Sequence, residues 1–362
     1  MLRFRGLALP RVMGIAALLV AIASCPTVGA SASPRPAAIK QLGFNSYVQD
    51  LCQSNATWAH DAYGQFTALK SLGANSIALA FPVYMTSLTS STVFARRVCG
   101  TLYQTPSTAR LTVTIREAHA LHLRVFLRPL LDETVLKAEG GWRGAIWPSN
   151  TAQWFKSYLA VLTPYLRLAQ QQKVEWFAIS TELNSMAGKP NWASLISAAK
   201  RYYGGSLIFT DTWTEGAAGK VTHAETSPGM DAYQAASLPV TATRSDLLHA
   251  WNNAVRSVDK VPFSLSSATI DEIAIVAQNG AYATPWAWSL PPATYPFDQS
   301  IQANWYSMAC NFFKSHNMQG IYFWGIWYSD GANAVLTTPG PGLAQRVQPE
   351  SAAVIKNCYL GR

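Results

Sequence analysis

The sequence predicts an α/β protein built as a single (β/α)8 barrel, in which parallel strands alternate with helices. Two observations predict this fold: short apolar runs rich in branched residues recur along the chain, and helical segments separate them. Near-continuous apolar strands are typical of a parallel sheet that is covered on its outer face. Eight such strand–helix units fit the span from residue 38 to residue 362.

The strand-forming runs can be placed in order along the chain. Seven are clear, at 41–48, 74–85, 123–132, 174–181, 206–213, 263–276 and 320–327. A weaker run at 227–234 completes the set of eight. The segments between them carry apolar residues three and four apart, as amphipathic helices do. Examples are 61–73, 108–122, 151–172 and 244–255.

An open, doubly wound sheet is the alternative arrangement of the same elements. Such a sheet normally places a glycine-rich phosphate-binding loop directly after its first strand. Around the end of the first run the chain reads "GFNSYVQDL", which is not a loop of that kind. The barrel is therefore the favoured prediction.

Residues 1–32 are predicted to be a secretory signal outside the fold. The basic segment "MLRFRGLALPR" precedes an apolar stretch that is too short to span a membrane, and small-residue cleavage sites follow. The sequence "IASC", ending at Cys25, also resembles a lipoprotein processing site. We expect a secreted, soluble protein, with a lipid-anchored form as the alternative, and a folded domain over 38–362.

The charge of the chain bears on its partners. The formal net charge of +9 falls to +6 when Arg3, Arg5 and Arg11 are removed with the signal. The remaining lysines and arginines are scattered and form no run that would follow a phosphate backbone. No later stretch reaches 18 apolar residues. We expect no nucleic-acid partner, no integral membrane segment and a monomer.

Four cysteines lie beyond the predicted signal: Cys52, Cys99, Cys310 and Cys358. In an exported chain they are expected to form two disulfides, for which three connectivities are possible. We favour Cys52–Cys99 and Cys310–Cys358, which join the nearer neighbours in sequence. Because no cysteine or histidine cluster has zinc-site spacing, we expect no metal. We also expect no cofactor, because the chemistry expected below needs only two carboxyl groups and water.

Acidic residues are few but many follow the apolar runs, where a barrel builds its active site. Glu182 and Glu272 stand out, because each follows a short polar or acidic residue and precedes an apolar one. Since side chains alternate along a strand, Thr181 and Glu182 are not expected to face inward together, nor are Asp271 and Glu272. Two glutamates facing each other across a barrel mouth suit cleavage of a glycosidic bond.

Other catalytic schemes find little support in the sequence. There is no G-x-S-x-G motif, which an α/β-hydrolase would carry at its nucleophile. The six histidines show no HExxH spacing, so the helical zinc motif of many metalloproteases is absent. The expected disulfides leave no thiol for nucleophilic catalysis.

Three stretches of the sequence resemble a known enzyme family. They are "RPLLDETVLKAEGGWRGAIWPSNTAQWFKSY" (128–158), "FAISTEL" (177–183) and "ATIDEIAI" (268–275). Together they resemble glycoside hydrolase family 113 of clan A, and the resemblance runs from about residue 40 to residue 330. Its most specific parts are the "WRG" at 142–144 and the "TEL" at 181–183.

The resemblance implies a retaining enzyme that acts mainly on β-1,4-mannan. It implies that Glu182 is the acid/base and Glu272 the nucleophile. Two residues depart from the usual pattern: Thr181 stands where most of clan A has asparagine, and Leu130 stands where a polar residue, often histidine, is expected. Both positions bear on which sugar binds at the point of cleavage.

Further candidates for substrate binding follow from their positions near strand ends. They are Asp132, Trp142, Arg143, Thr181, Trp213, Tyr233 and Trp327. Asp132 is placed either to bind a sugar hydroxyl or to cap the loop that carries Trp142. For Arg143 we favour bracing of that loop over pairing with a catalytic carboxylate.

The aromatic candidates suit sugar stacking, with core packing as the alternative. Trp324 and Trp327 both lie in the last run, and we expect only Trp327 to face the mouth. Tyr233 is placed to donate a hydrogen bond to the nucleophile.

We therefore expect a retaining hydrolase of β-1,4-mannan or a related β-linked hexose polysaccharide. The alternatives are another clan A activity, such as a β-glucanase or an exo-acting β-mannosidase, and a barrel that binds carbohydrate without cleaving it. Endo or exo action stays open, since it depends on loops such as 86–107 and 277–300.

Overall fold

The structure is a computed structural model that describes residues 40–99, 103–212, 225–233, 236–255, 264–283, 295–340 and 346–361. Residues Ile39–Arg362 belong to one compact unit. The predicted signal and Cys25 lie outside the described residues, so both stay predictions.

Eight parallel strands close into a barrel in sequence order, which confirms the predicted fold. The strands are β1 (Gln41–Tyr47), β2 (Ser76–Val83), β3 (Arg124–Leu131), β4 (Trp176–Thr181), β5 (Ser206–Thr212), β6 (Ser227–Asp231), β7 (Thr269–Ile273) and β8 (Gly320–Trp327). The weakest predicted run is β6, which pairs with β5 and β7. β7 is shorter than predicted, because a 3-10 helix occupies Leu265–Ser267 before it.

Helices follow the strands around the barrel. They are α1 (Asn55–Ser71), α2 (Thr108–Ala120), α3 (Thr134–Ala138), α4 (Thr151–Gln171), α5 (Asn184–Ala187), α6 (Asn191–Lys200), α7 (Arg244–Val255), α8 (Gln299–Ser315) and α9 (Pro349–Tyr359). The side chains of Ser54, Ser107 and Asn150 accept hydrogen bonds from the first turns of α1, α2 and α4. Such N-caps satisfy backbone amides that have no partner within the helix.

The barrel interior is layered, as expected for this fold. An apolar layer contains Ala78, Phe126, Ala178, Ile208 and Tyr322, all buried. Two residues further along β3 from Phe126 lies Arg128, and two further lies Leu130 at the mouth. Because alternate residues share a face of a strand, β3 points Phe126, Arg128 and Leu130 inward in turn.

Three strands contain one more residue than a neighbouring strand over a paired stretch, which shifts their register. The shifts fall between Ala178 and Ser180 of β4 against β5, between Ile270 and Glu272 of β7 against β6, and between Phe323 and Ile326 of β8 against β1. An extra residue reverses the alternation of side chains beyond it, and such bulges are frequent beside active sites.

Both favoured disulfides are present, Cys52–Cys99 and Cys310–Cys358, so the predicted connectivity is confirmed. The second joins α8 to α9. Within the described part of the chain, no helix is both long and apolar enough to cross a membrane.

Candidate active site

Glu182 lies immediately after β4 at the mouth of the barrel. Its backbone is in the left-handed region, with φ of 52°, and its amide donates to the Thr210 carbonyl at 3.1 Å. A non-glycine residue in this region carries strain of order 1 kcal/mol or more, which the surroundings must offset. The residue is only 7% exposed.

Arg143 holds the Glu182 carboxylate in place. Its Nη1 lies 2.5 Å from Glu182 Oε2, and its Nε donates to the Leu131 carbonyl at 2.8 Å. Its Nη2 lies 3.4 Å from Glu133 Oε1. The residue therefore braces the loop after β3, as favoured from the sequence, and also pairs with Glu182.

Among the described residues, one donor contacts each carboxylate oxygen of Glu272 on β7. Tyr233 Oη donates to its Oε1 at 2.7 Å, and Arg128 Nη1 donates to its Oε2 at 2.9 Å. The expected contact between Tyr233 and Glu272 is therefore present. Two donors from different elements fix the orientation of this carboxylate.

Arg128 is completely buried and connects four strands across the barrel. Its Nη2 donates to both Asp231 oxygens, at 2.8 and 3.0 Å, and its Nη1 donates to Asn45 Oδ1 at 2.7 Å as well as to Glu272. A bidentate guanidinium–carboxylate pair is strong and directional. Arg128 thus links β1, β3, β6 and β7 at the level of Glu272.

Asp271 also points into the barrel, beside Glu272. Its two oxygens accept from the hydroxyls of Thr210 and Thr269, each at 2.5 Å. It lies against Gly229, where a Cβ atom would come within 1.9 Å of Asp271 Oδ2, so only glycine fits there. The expectation that Asp271 and Glu272 face opposite ways is wrong, because the extra residue in β7 turns both inward.

The two candidate catalytic carboxylates lie close enough to interact electrostatically. Burial raises the pKa of Glu182 to about 7; Arg143 opposes this rise, and the charges of Glu272 and Glu133 add to it. Burial would lower the pKa of Arg143, but Glu133 and Glu182 outweigh it and raise that pKa, so the guanidinium stays charged. A carboxyl with a pKa near 7 is suited to general acid catalysis at neutral pH.

Asp132 makes the loop-capping contact that was one of its two expected roles, and it also binds Tyr47, which was not expected. Its Oδ1 accepts from the Thr134 amide at 2.9 Å at the start of α3, and its Oδ2 accepts from Tyr47 Oη at 3.0 Å. The residue is partly exposed, so a sugar hydroxyl has access to it. It therefore caps the loop and also anchors Tyr47.

Trp142 packs on its own loop. A Cβ atom on Gly144 would lie 2.3 Å from the indole ring, which explains why glycine follows Arg143 in the "WRG" sequence. Thr181 is buried, and its hydroxyl has no hydrogen-bond partner among the described residues. Trp213 lies outside the described residues, and its predicted role stays a prediction.

Both tryptophans of β8 pack against Tyr47, with ring centroids 5.8 Å away for Trp324 and 5.2 Å for Trp327. The expectation that only one of them faces the mouth is wrong, since the extra residue in β8 brings both to the same side. Leu130 belongs to the same cluster. The mouth therefore has an aromatic and apolar wall beside the carboxylates.

Three residues of the site, Asn45, Tyr47 and Arg128, were missed in the sequence. Asp271 and Trp324 were considered but expected to face away from the mouth, and Asp231 was given no role. Arg128 could have been recognised, because an arginine two residues from Phe126 in an apolar run lies on the same buried face of the strand. Among the described residues, no group of three or more histidines, cysteines or acids is placed to hold a metal ion.

Comparison with known proteins identifies the family. The sequence matches the family model for Glycoside Hydrolase Family 113 over residues 50–334. The chain belongs to glycoside hydrolase family 113. It is therefore a glycoside hydrolase by membership, and its substrate class is carbohydrate. In a search of curated proteins, nothing matches the sequence.

Solved structures of the same family share the fold at low sequence identity. A family 113 β-1,4-mannanase is 16% identical with a TM-score of 0.69, over 90% of this chain and 100% of that chain. The family 113 β-mannanase of Alicyclobacillus acidocaldarius, solved with the ligand ManMIm, is 18% identical with a TM-score of 0.65, over 88% of this chain and 98% of that chain. At such identities the likeness concerns the fold.

Proposed function

We propose that this family 113 member is a retaining hydrolase of β-1,4-linked mannan or a closely related β-linked hexose polysaccharide. Glu182 is its general acid/base and Glu272 its nucleophile. The observation that carries this proposal is the difference between the two carboxyl groups. Glu182 is buried beside Arg143, and its pKa is about 7. Glu272, by contrast, is oriented by a hydrogen-bond donor on each carboxylate oxygen.

In the first step, a Glu272 oxygen attacks the anomeric carbon while the bond to the leaving oxygen breaks. The Glu182 proton passes to that oxygen, which leaves as a hydroxyl of the departing sugar. Glu182, now a carboxylate, is stabilised by Arg143 at 2.5 Å.

In the second step, Glu182 takes a proton from water as the water oxygen attacks the anomeric carbon. Glu272 departs as a carboxylate, to which Arg128 and Tyr233 again donate. Two displacements at one carbon leave the anomeric configuration unchanged.

The wall formed by Tyr47, Trp324 and Trp327 supports a sugar substrate. Aromatic faces pack well against the apolar faces of sugar rings, and Asp132 lies beside Tyr47 with one side open to solvent. The preference for mannan rests on membership of family 113 and on the β-mannanase activity of its solved members. Export from the cell is proposed from the signal and agrees with the two disulfides.

A reducing-sugar assay on mannan, glucomannan, cellulose and xylan tests the substrate, with proton NMR of the first product testing retention. We expect release from mannan and glucomannan with the β-anomer appearing first, and loss of release in Glu182→Gln and Glu272→Gln variants. An α-anomer as first product would contradict retention. Parent-like release by both variants would contradict the catalytic assignment.

A further inference from the structure

Glu133 lies on the loop between β3 and α3, next to the residues of the proposed site but with no role in the mechanism above. Its side chain is 16% exposed and lies between two cations. Lys137 Nζ is 2.9 Å from its Oε2, and Arg143 Nη2 is 3.4 Å from its Oε1.

Arg143 is therefore shared by two acids. One nitrogen of its guanidinium contacts Glu182 and another contacts Glu133, while Nε is held by the Leu131 carbonyl. The arginine cannot turn towards Glu182 alone, because its third contact fixes the plane of the guanidinium. The two carboxylates and the cation between them form one electrostatic unit.

We propose that Glu133 is a positioning residue that acts through Arg143, offsetting the charge of the guanidinium so that Glu182 retains its proton for the first step. This inference rests on the proposed role of Glu182 as general acid. An arginine beside a carboxyl normally favours its ionised form, which would remove the proton that the leaving oxygen needs. A second carboxylate on the same arginine counters that tendency.

The surrounding charges agree with this arrangement. Burial alone would raise the pKa of Glu133, but Arg143 and Lys137 outweigh it and lower that pKa, so Glu133 carries its charge at neutral pH. Five charged or titratable groups from separate elements face the Glu182 carboxyl. Arg143 comes from the 3-10 helix at 143–145, Glu133 from the loop after β3 and Glu272 from β7. Asp231 ends β6, and Tyr233 follows it. Within this set, Glu133 also contacts Lys137, whose side chain is exposed to solvent.

The test is the pH dependence of kcat/KM for a mannan oligosaccharide in the Glu133→Gln variant. The amide keeps the shape of the side chain and removes its charge. We expect the basic limb, which reports the acid in the free enzyme, to move about one pH unit lower. At pH values above the basic limbs of both the parent and the variant, this shift corresponds to about a tenfold lower kcat/KM for the variant.

Matched variants separate this role from simple bracing of the loop. Glu139→Gln removes an equal charge from the same segment, where Glu139 accepts from the Leu88 amide, and should leave the limb in place. Glu133→Asp keeps the charge and should keep the limb even if kcat falls. Lys137→Met strengthens the field of Glu133 and should move the limb slightly upward; its side chain is 65% exposed, so folding is not at risk.

A limb that stays in place in both Glu133→Gln and Lys137→Met overturns the inference, as does a Glu133→Asp profile that coincides with that of Glu133→Gln. Failure of the proposed function has a different signature. In that case the parent would not hydrolyse the oligosaccharide, or the Glu182→Gln variant would hydrolyse it as the parent does.

Discussion

The two sides of the site hold their carboxylates with one arginine each, but in different settings. Arg128 belongs to strand β3, is completely buried and bonds to residues of three other strands. Arg143 belongs to a 3-10 helix in a connecting loop, is 14% exposed and bonds to the chain near it and to Glu182.

This difference matches the chemistry proposed for each side. A nucleophile needs one fixed position over the anomeric carbon, and a group held by the sheet is positioned more precisely than one held by a loop. An acid/base changes its charge twice in each turnover. A partly exposed arginine shared with a second acid tolerates both charge states.

Removal of each carboxyl in turn is expected to have the largest effect and tests the difference between the two sides. Glu272→Gln should lower kcat/KM on every substrate by about 10⁴-fold or more, because the attacking group is lost. Glu182→Gln should lower it on mannan by about 10²- to 10⁴-fold. On 2,4-dinitrophenyl β-mannobioside, whose leaving group needs no proton, the Glu182→Gln loss should be small. Equal losses on both substrates would reverse or remove the assignment.

Removal of each arginine should separate the two settings by their effect on folding. Arg128→Met leaves Asp231 and Glu272 buried without a counter-charge, which should cost about 3–5 kcal/mol of unfolding free energy. Arg143→Met should cost about 1–2 kcal/mol, since Glu182 can accept a proton and Glu133 keeps Lys137. Denaturant unfolding measures both values. An equal loss of unfolding free energy in the two variants would contradict the expected difference between the loop arginine and the strand arginine.

Most of the fold followed from the sequence, because it depends on patterns that no single residue controls. Eight apolar runs and their intervening amphipathic segments predict the barrel, including the weak sixth strand at Ser227–Asp231. Glu182 and Glu272 were found because an acid at the end of an apolar strand has no packing role. The disulfides followed from proximity in sequence.

The errors in the site have one physical origin. The alternation of side chains was assumed to continue through each strand, whereas β7 and β8 each contain an extra residue near the mouth. The inward position of Asp271 and the joint packing of Trp324 and Trp327 therefore could not be predicted. The partners of Arg128 were missed because they come from distant strands.

The pH dependence of kcat/KM gives a further test of Glu182 as the general acid. Its protonated form is the active one in the first step, and its pKa is about 7. The kcat/KM for mannan oligosaccharides should therefore be constant well below pH 7 and fall about tenfold per unit well above it. With the dinitrophenyl substrate this basic limb should disappear. A limb that persists would belong to another group.

The pKa of Glu182 also determines how the stability of the protein depends on pH. The pKa of Glu182 in the folded state, about 7, exceeds the ordinary value of 4.5. Its contribution to stability is thus fully present below pH 4.5 and is lost as the pH rises through 7. Glu182→Gln cannot ionise, so relative to the parent it should gain about 1–3 kcal/mol between pH 5 and pH 8. Paired thermal melts measure this gain, and a constant difference would argue against a buried, proton-holding Glu182.

Covalent trapping identifies the residue that attacks the anomeric carbon. The enzyme is incubated with an activated 2-fluoro-β-mannoside or 2-fluoro-β-mannobioside, digested and mapped by mass spectrometry. We expect one added fluorosugar, in the peptide around "ATIDEIAI", on Glu272. A label on Asp271, on Glu182 or on any other residue would contradict it, as would turnover of the reagent without any trapped intermediate.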